Sequence, residues 1–330
     1  MKEFLLLLKK GNKSALLAAI VNTIIAILKG IGFALTGSVA LFAEMMHSAA
    51  DTANQLFVFT GSALSKKSPT DRFPNGFGRL VNLVLLGAVL IVGIMAYETI
   101  VEGIHHIIKP THPSGFIISL VILGISVLLE SFVLYKAMKE ISHELGINSS
   151  GFGVVTQAIS NLGKAKPATR LVFLEDAVAT LGGLLAMIAV IVAHYSPFHE
   201  AEGIASVIIG ILMFIVVGKV FLDNAAGVIG EADEEMEIKI GEMVMNDPDV
   251  KDIQALTVLK EGEDLHVELE IELDPNLTVA EADDIKDRLE EKIMNEKGVT
   301  DVIIELDEDD GIQNWSEEKN EPELVKKSRL

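Results

Sequence analysis

Five polar side chains interrupt an otherwise apolar stretch, Gly37–Gly61, with the sequence GSVALFAEMMHSAADTANQLFVFTG. At about 100° per residue they fall on one side of a helix. They are Glu44, His47, Asp51, Asn54 and Gln55. A charged group near the middle of a bilayer costs about 2.5–3.5 kcal/mol on insertion scales, so such groups are rare without partners. The stretch therefore predicts a membrane helix with a polar seam that faces another helix or a water-filled path.

The spacing of His47 and Asp51 points to metal chemistry. The two residues are four apart, one helical turn, and imidazole plus carboxylate can fill two positions of a tetrahedral Zn²⁺ shell. Two ligands do not make a site. Acids in the fifth and fourth apolar segments can complete it, namely Glu175 and Asp176, which are adjacent and cannot both face one site well, and Glu130. The alternative is a structural polar network that only holds helices together.

Six long apolar segments must position these residues. Each has about the 20 residues that span some 30 Å of hydrocarbon. They are Ala15–Leu35, Val39–Leu64, Leu80–Ile108, Phe116–Met138, Leu171–His194 and Ile204–Leu222. Lys29, in the first segment, is interpreted as a snorkelling or paired structural charge. The composition, 50% hydrophobic, agrees with a chain that is partly embedded in a membrane.

Lysine and arginine are concentrated in alternate connections between these segments. The N-terminus and the second-to-third and fourth-to-fifth connections are basic, whereas the other three connections hold only Lys109. The positive-inside rule then places both termini in the cytoplasm. No signal peptide is apparent, and we expect a multi-pass protein of the plasma membrane.

Charge separates the membrane part from a soluble part. Residues 1–230 hold 16 basic and 14 acidic residues, whereas residues 231–330 hold 11 and 33. Acidity of this size excludes nucleic-acid partners, which need a basic face. Apolar periodicity in the acidic part predicts the order α-β-β-α-β. We expect a transmembrane domain over residues 1–228, a cytoplasmic α/β domain over 229–307 and a disordered acidic tail over 308–330.

These segments resemble the cation diffusion facilitator family. The resemblance covers the chain to about Asp307 and depends on five runs: LKGIGFALTGSVALFAEMMHSAADT, PNGFGR, YETIVEGIHHI, HVELEIELDPNLTVAEADDI and GVTDVIIELDE. It implies a six-span homodimer that exports a divalent metal in exchange for protons, with a ferredoxin-like or metallochaperone-like cytoplasmic domain. The Leu174–Asp176 run resembles a branch that includes zinc transporter 9-like proteins.

The resemblance also assigns ligands. Family members use two ligands four residues apart in span two and two in span five. His47 and Asp51 match the first pair, and Asp176 matches the second residue of the other pair. The first residue of that pair falls on Val172, which cannot coordinate. Three candidates remain for the fourth position: Glu175, Glu130 and water.

A regulatory metal site in the cytoplasmic domain is a weaker expectation from the resemblance. His266 matches one position of such a site. Carboxylates stand where other members have His or Asp, namely Asp283, Glu305 and Asp307. Carboxylates on an acidic surface are more often only solvated charges, so both interpretations stay open.

The expected function is efflux of a divalent cation, Zn²⁺ first, by proton antiport, with no resident cofactor and no enzymatic activity. Fe²⁺, Co²⁺ and Mn²⁺ are alternatives because oxygen ligands suit them increasingly well. A membrane metal sensor without flux is a second alternative. An intramembrane metalloenzyme is disfavoured, since the sequence has no HExxH helix and no Ser or Cys nucleophile beside a base.

Overall fold

The computed structural model describes residues 7–111, 114–145, 150–162, 167–262 and 264–315. The chain forms two compact units. One consists of residues 12–60 and 84–222, and the other of residues 1–11, 61–83 and 223–330. The first unit is helical, and the second contains a small sheet.

Long helices occupy the places of the predicted apolar segments. In chain order they are α1 (Lys13–Thr36), α2 (Val39–Ser65), α3 (Leu80–Ile108), α4 (Phe116–Glu144), the short α5 (Phe152–Ser160), α6 (Pro167–Tyr195) and α7 (Ala201–Ile229). Among the described residues, five helices are long and apolar enough to cross a membrane: α1, α3, α4, α6 and α7. The helix α2 is also long enough, with 27 residues, but its polar seam lowers its mean hydropathy. Five of the six predicted spans are therefore supported by composition.

Local signals set the ends of the first two helices. Asn12 caps α1, because its side chain accepts hydrogen bonds from the N–H groups of Ser14 and Ala15. Gly37 ends α1 in the left-handed conformation, with φ +71°, which favours glycine. At the start of α2 the buried Glu202 carboxylate accepts from the Ser38 hydroxyl at 2.6 Å and from the Ala40 N–H at 3.3 Å. A carboxylate there neutralises the positive end of the helix dipole.

Glycines bring α3 and α7 into backbone contact. A Cβ built on Gly103 would lie 2.7 Å from the Gly203 carbonyl oxygen and 2.9 Å from the Val207 nitrogen. Membrane helices commonly use small residues for such close approach.

We therefore expect Gly103→Ala to reduce the stability of the helical unit by about 1–3 kcal/mol, because backbone must move to admit the methyl group. Gly93→Ala is the matched control on α3, since no described atom lies within 4 Å of its Cβ position. Thermal unfolding followed by far-ultraviolet circular dichroism measures both. Equal midpoints for the two variants would contradict the packing argument.

The second unit contains the acidic domain. Its elements are α8 (Glu234–Met245), β1 (Asp252–Glu261), β2 (Asp264–Leu273), α9 (Val279–Met294) and β3 (Val299–Glu308), in the order that the sequence predicts. The strands are arranged β1-β2-β3, with β1 antiparallel and β3 parallel to β2. A capping box of Thr278 and Glu281 starts α9. Apolar residues of both helices and all three strands form one core, including Ile240, Val267, Ile271, Leu289 and Ile304.

The segment that follows β3 packs on this domain. The Asp252 carboxylate accepts a hydrogen bond from the Trp315 N–H at 3.1 Å and another from the Asn314 N–H. A Cβ at Gly241 would lie 1.9 Å from Trp315 Cζ2, so the indole covers bare backbone of α8. Disorder is predicted from residue 308, but residues 309–315 are ordered by these contacts. Residues 316–330 lie outside the described residues.

Trp315 is the only tryptophan in the sequence, so its fluorescence reports on this contact. We expect Gly241→Ala to displace the indole and shift its emission maximum to longer wavelength, because the new methyl group takes the space of the ring. Glu235→Ala, at an exposed position of the same helix, is the control. An unchanged emission maximum in Gly241→Ala would show that the indole is bound elsewhere.

A buried carboxylate ties α9 to the end of α8. The Asp247 side chain is 1% exposed and receives Arg288 Nη2 at 2.6 Å and Lys292 Nζ at 2.8 Å. Burial acts to raise the pKa of Asp247, but the hydrogen bonds from Lys292 and Arg288 outweigh it and hold that pKa below its ordinary 3.8. The stabilisation is therefore complete above about pH 4 and is lost as the pH falls through the folded-state pKa.

We expect Asp247→Asn to lower the free energy of unfolding by about 1–2 kcal/mol at pH 7, less than for a fully buried pair because both cations are half-exposed. The difference from wild type should shrink below about pH 4, where the wild-type carboxylate is itself protonated. Denaturant titrations followed by Trp315 fluorescence at pH 7 and pH 3 measure this. Asp249→Asn, which removes a more exposed partner of Arg288, serves as control. An equal loss at both pH values would contradict the assignment.

Candidate functional site

The polar seam of α2 places its two predicted ligands on one helical face. His47 Nε2 lies 3.6 Å from Asp51 Oδ2. His47 is buried, whereas 41% of the Asp51 side chain is exposed. The pair thus consists of a buried nitrogen and a partly exposed carboxylate.

The other predicted ligands come from α6. Asp176 and Glu175 are both half-buried, and each is close enough to Asp51 for their charges to interact. Glu175 also interacts with Asp176 and with Lys219 of α7. The second and fifth apolar segments therefore carry carboxylates whose charges interact, and their role as metal ligands stays a prediction. Lys219 is a neighbour of the site that sequence reasoning did not identify.

Two atoms of this group lack hydrogen-bond partners although they are fully buried. They are His47 Nε2 and Asp176 Oδ2. A buried polar atom without a partner is costly, and a bound cation removes that cost. Across the described ranges, no three His, Asp or Glu side chains are close enough to hold a metal ion. Binding of an ion by both helices therefore requires α2 and α6 to draw their ligands together.

Glu130 of α4 has a different environment from these residues. Its Oε1 lies 2.9 Å from Lys29 Nζ, which also lies 2.7 Å from Glu44 Oε2. Lys29 further donates to the Ser48 hydroxyl at 3.0 Å. Glu130, one candidate for the fourth metal ligand, is therefore already engaged in an ion pair with Lys29. Glu44 belongs to the predicted polar seam of α2. Its pairing with Lys29 of α1 is not predicted by the sequence, because it depends on how the two helices pack against each other.

Val172, which stands at the fourth ligand position implied by the family resemblance, is 49% exposed on α6. An aliphatic side chain supplies no lone pair. The candidate ligands among the described residues therefore comprise one imidazole, His47, with carboxylates.

The residues of the weaker cytoplasmic site are dispersed over the domain. His266 on β2 lies between two carboxylates, with Nδ1 2.8 Å from Asp301 Oδ2 and Nε2 3.2 Å from Glu268 Oε1. In the parallel register Glu305 and Asp307 pair with Glu270 and Glu272, further along the sheet. Asp283 is exposed on α9. The structure therefore joins His266 to Asp301 and Glu268, and the predicted group of four stays a prediction.

Comparison with known families gives two matches that together cover most of the chain. Residues 15–227 match the cation efflux transmembrane domain. Residues 232–309 match the cytoplasmic domain of cation efflux proteins. The boundary between the two matches falls at the end of α7, where the acidic part of the sequence begins.

Several curated proteins are similar at low identity. The human mitochondrial proton-coupled zinc antiporter SLC30A9 is 24% identical over 251 residues, which are 74% of this chain and 43% of that protein. The magnetosome protein MamB of Magnetospira sp. (strain QH-2) is 24% identical over 80% of this chain and 84% of its own length. The cation-efflux pump FieF of Citrobacter koseri is 22% identical over 90% of this chain and 92% of its own. The chain thus spans less than half the length of the SLC30A9 protein.

Proposed function

The chain belongs to the cation efflux family, and from this premise we propose that it exports a divalent metal cation, Zn²⁺ first, in exchange for protons. The family match and the relatives support transport of divalent metals. The name of one relative, a proton-coupled zinc antiporter, supports the choice of cargo and counter-ion. The observation that carries the proposal is that two buried atoms without hydrogen-bond partners, His47 Nε2 and Asp176 Oδ2, lie on helices whose carboxylates Asp51 and Asp176 are near enough for their charges to interact.

The proposed mechanism uses the protonation state of these three side chains. A neutral imidazole and two ionised carboxylates bind the cation, so loading the site releases protons to the side from which the metal enters. On the opposite side, protonation of His47 removes its lone pair and lowers the negative charge of the site, which favours release of the metal. The protons return with the empty site, and the exchange repeats.

The choice of metal follows from the donor atoms. One imidazole with carboxylates suits Zn²⁺ and Co²⁺, and each further oxygen ligand shifts the preference towards Fe²⁺ and Mn²⁺. Because Val172 supplies no nitrogen, water or Glu175 would complete the shell. Transport of Fe²⁺, Co²⁺ or Mn²⁺ by the same site is the alternative.

The topology that we propose has six spans, with α2 as the second, in a plasma membrane. The basic connections of the sequence support cytoplasmic termini. The match to a cation efflux cytoplasmic domain supports assembly as a homodimer. We propose the domain limits of the sequence, residues 1–228 and 229–307, for the membrane and cytoplasmic parts.

Flux measurements in proteoliposomes test the proposal. The full-length chain is reconstituted with a Zn²⁺-sensitive dye inside, and a pH gradient is imposed in either direction. We expect Zn²⁺ to move against the imposed proton flow, and the internal pH to change only when Zn²⁺ is present. Zn²⁺ flux that does not depend on the pH gradient would exclude antiport. Absence of flux for Zn²⁺, Fe²⁺, Co²⁺ and Mn²⁺ alike would exclude transport.

A further inference from the structure

The helical unit contains a second group of buried charges beside the metal ligands. The Lys29 ammonium contacts Glu44 Oε2 at 2.7 Å, Glu130 Oε1 at 2.9 Å and the Ser48 hydroxyl at 3.0 Å. The side chains of Lys29 and Glu44 are fully buried, and that of Glu130 is 12% exposed. We call these four residues the lysine cluster. It joins α1, α2 and α4, and the proposed transport mechanism does not use it.

The lysine cluster has more acceptor atoms than its ammonium can satisfy. Glu44 Oε1 and Glu130 Oε2 are buried and have no hydrogen-bond partner. Both face the glycine pair of α6. A Cβ at Gly182 would lie 3.0 Å from Glu44 Oε1, and one at Gly183 would lie 3.0 Å from Glu130 Oε2. The two carboxylates thus lie against bare helix backbone, where a larger residue would displace them.

The oxygen atoms of the lysine cluster are of the kinds that bind metal cations. Two carboxylates and a hydroxyl supply the oxygen donors that hard divalent cations such as Mg²⁺, Ca²⁺ and Mn²⁺ prefer. The ammonium of Lys29 occupies the position among them that such an ion would take. Glu44 precedes His47 by less than one helical turn, so an ion in the lysine cluster would lie close to the proposed transport site.

We propose that Glu44, Ser48 and Glu130 form a second intramembrane cation site whose resident cation is the Lys29 ammonium. The tethered charge excludes divalent ions from this site and restricts the cargo to the His47 site. The proposal rests on the proposed function only in taking divalent cations as the competing ions. A lysine serves this purpose because it cannot leave, whereas a bound metal ion would exchange with the cargo.

Removal of the charge tests the proposal. In Lys29→Met the side chain keeps most of its volume, and two buried carboxylates lose their counter-charge. We expect the full-length variant in detergent to bind one more Mn²⁺ per chain than wild type, measured by equilibrium dialysis and by the loss of the free Mn²⁺ paramagnetic resonance signal. Lys29→Arg, which keeps the charge, should bind the wild-type number.

Two further variants separate this site from others. Lys29→Met/Glu44→Gln/Glu130→Gln should return to the wild-type number of ions, because the ligands are gone. The acidic cytoplasmic domain is the same in every variant, so any Mn²⁺ ions that it binds add the same number to each measurement. The extra ion should also appear when His47→Ala and Asp51→Ala are added, which keeps the result independent of whether the His47 site transports metal.

Stability supplies a second measurement. If Lys29→Met is unstable without metal, Mn²⁺ should raise its melting temperature far more than that of wild type, since an ion that binds only the folded state stabilises it. A folded Lys29→Met protein with the wild-type number of ions would overturn the proposal. So would a variant that saturating Mn²⁺ does not stabilise, because the lysine cluster would then be only a structural ion pair.

Discussion

Asp176→Asn and His47→Ala should each reduce pH-driven Zn²⁺ flux in proteoliposomes by at least about 100-fold. Loss of an outer-shell partner of a metal ligand already costs about 10–100-fold in affinity or activity, and loss of a ligand itself should cost more. His47→Ala removes the buried Nε2, and Asp176→Asn removes the negative charge at the buried Oδ2; neither atom has a hydrogen-bond partner. Initial rates of dye response, normalised to protein in the vesicles, give the measurement.

Asp223→Asn is the matched control for the aspartate variant, because Asp223 is exposed near the end of α7. It should transport at the wild-type rate. Circular dichroism before and after reconstitution establishes that each variant is folded. Wild-type flux in either His47→Ala or Asp176→Asn would remove that residue from the transport site.

Metal preference should shift from Zn²⁺ towards Mn²⁺ in His47→Asp. This change replaces the only nitrogen of the candidate ligand set by oxygen, and loss of the imidazole weakens binding of Zn²⁺ more than binding of Mn²⁺, which suits oxygen ligands. We expect the ratio of Zn²⁺ to Mn²⁺ flux to fall at least about 10-fold, a change of about 1.4 kcal/mol in relative stabilisation of the two ions. Competition between the two metals in the same vesicles measures the ratio directly.

The exposed His143, near the end of α4, offers the control substitution His143→Asp. It makes the same chemical change away from the site and should leave the flux ratio unaltered. If His47→Asp kept the wild-type ratio while still transporting, the imidazole would not be a ligand, and selectivity would lie with the carboxylates of α6.

The sequence predicts the helix of the site because its polar residues recur at helical spacing within an apolar segment. It also predicts which segments carry the remaining acids, since charge is rare in such segments. It does not predict that Glu130 pairs with Lys29. That pairing depends on how α1 and α4 pack, which spacing within one helix does not reveal. The sequence also does not distinguish the two roles considered for Lys29, because a lysine that snorkels and a lysine that pairs in the interior have the same local sequence.

In the cytoplasmic domain, too, the sequence predicts the helices and strands but not the contacts between distant residues. Alternating apolar residues predict β1 and β2, and helical spacing predicts α8 and α9. Composition does not predict that the segment after β3 packs on the domain, because Asp307–Asp310 has the acidity of a disordered tail. The contact of Trp315 with Gly241 joins residues distant in the sequence, so no local pattern predicts it.

The hydrogen bonds from Ser38 and Ala40 to Glu202 have a consequence for the working cycle. They fasten the first turn of α2 to α7, while Lys29 of α1 contacts Glu44 and Ser48 in the following turns of α2 and Glu130 of α4. His47 lies between Glu44 and Ser48 on α2, so rotation or sliding of α2 at this turn would break these buried contacts. In the proposed transport cycle, α6 is then the helix of the candidate site whose displacement would break none of these hydrogen bonds.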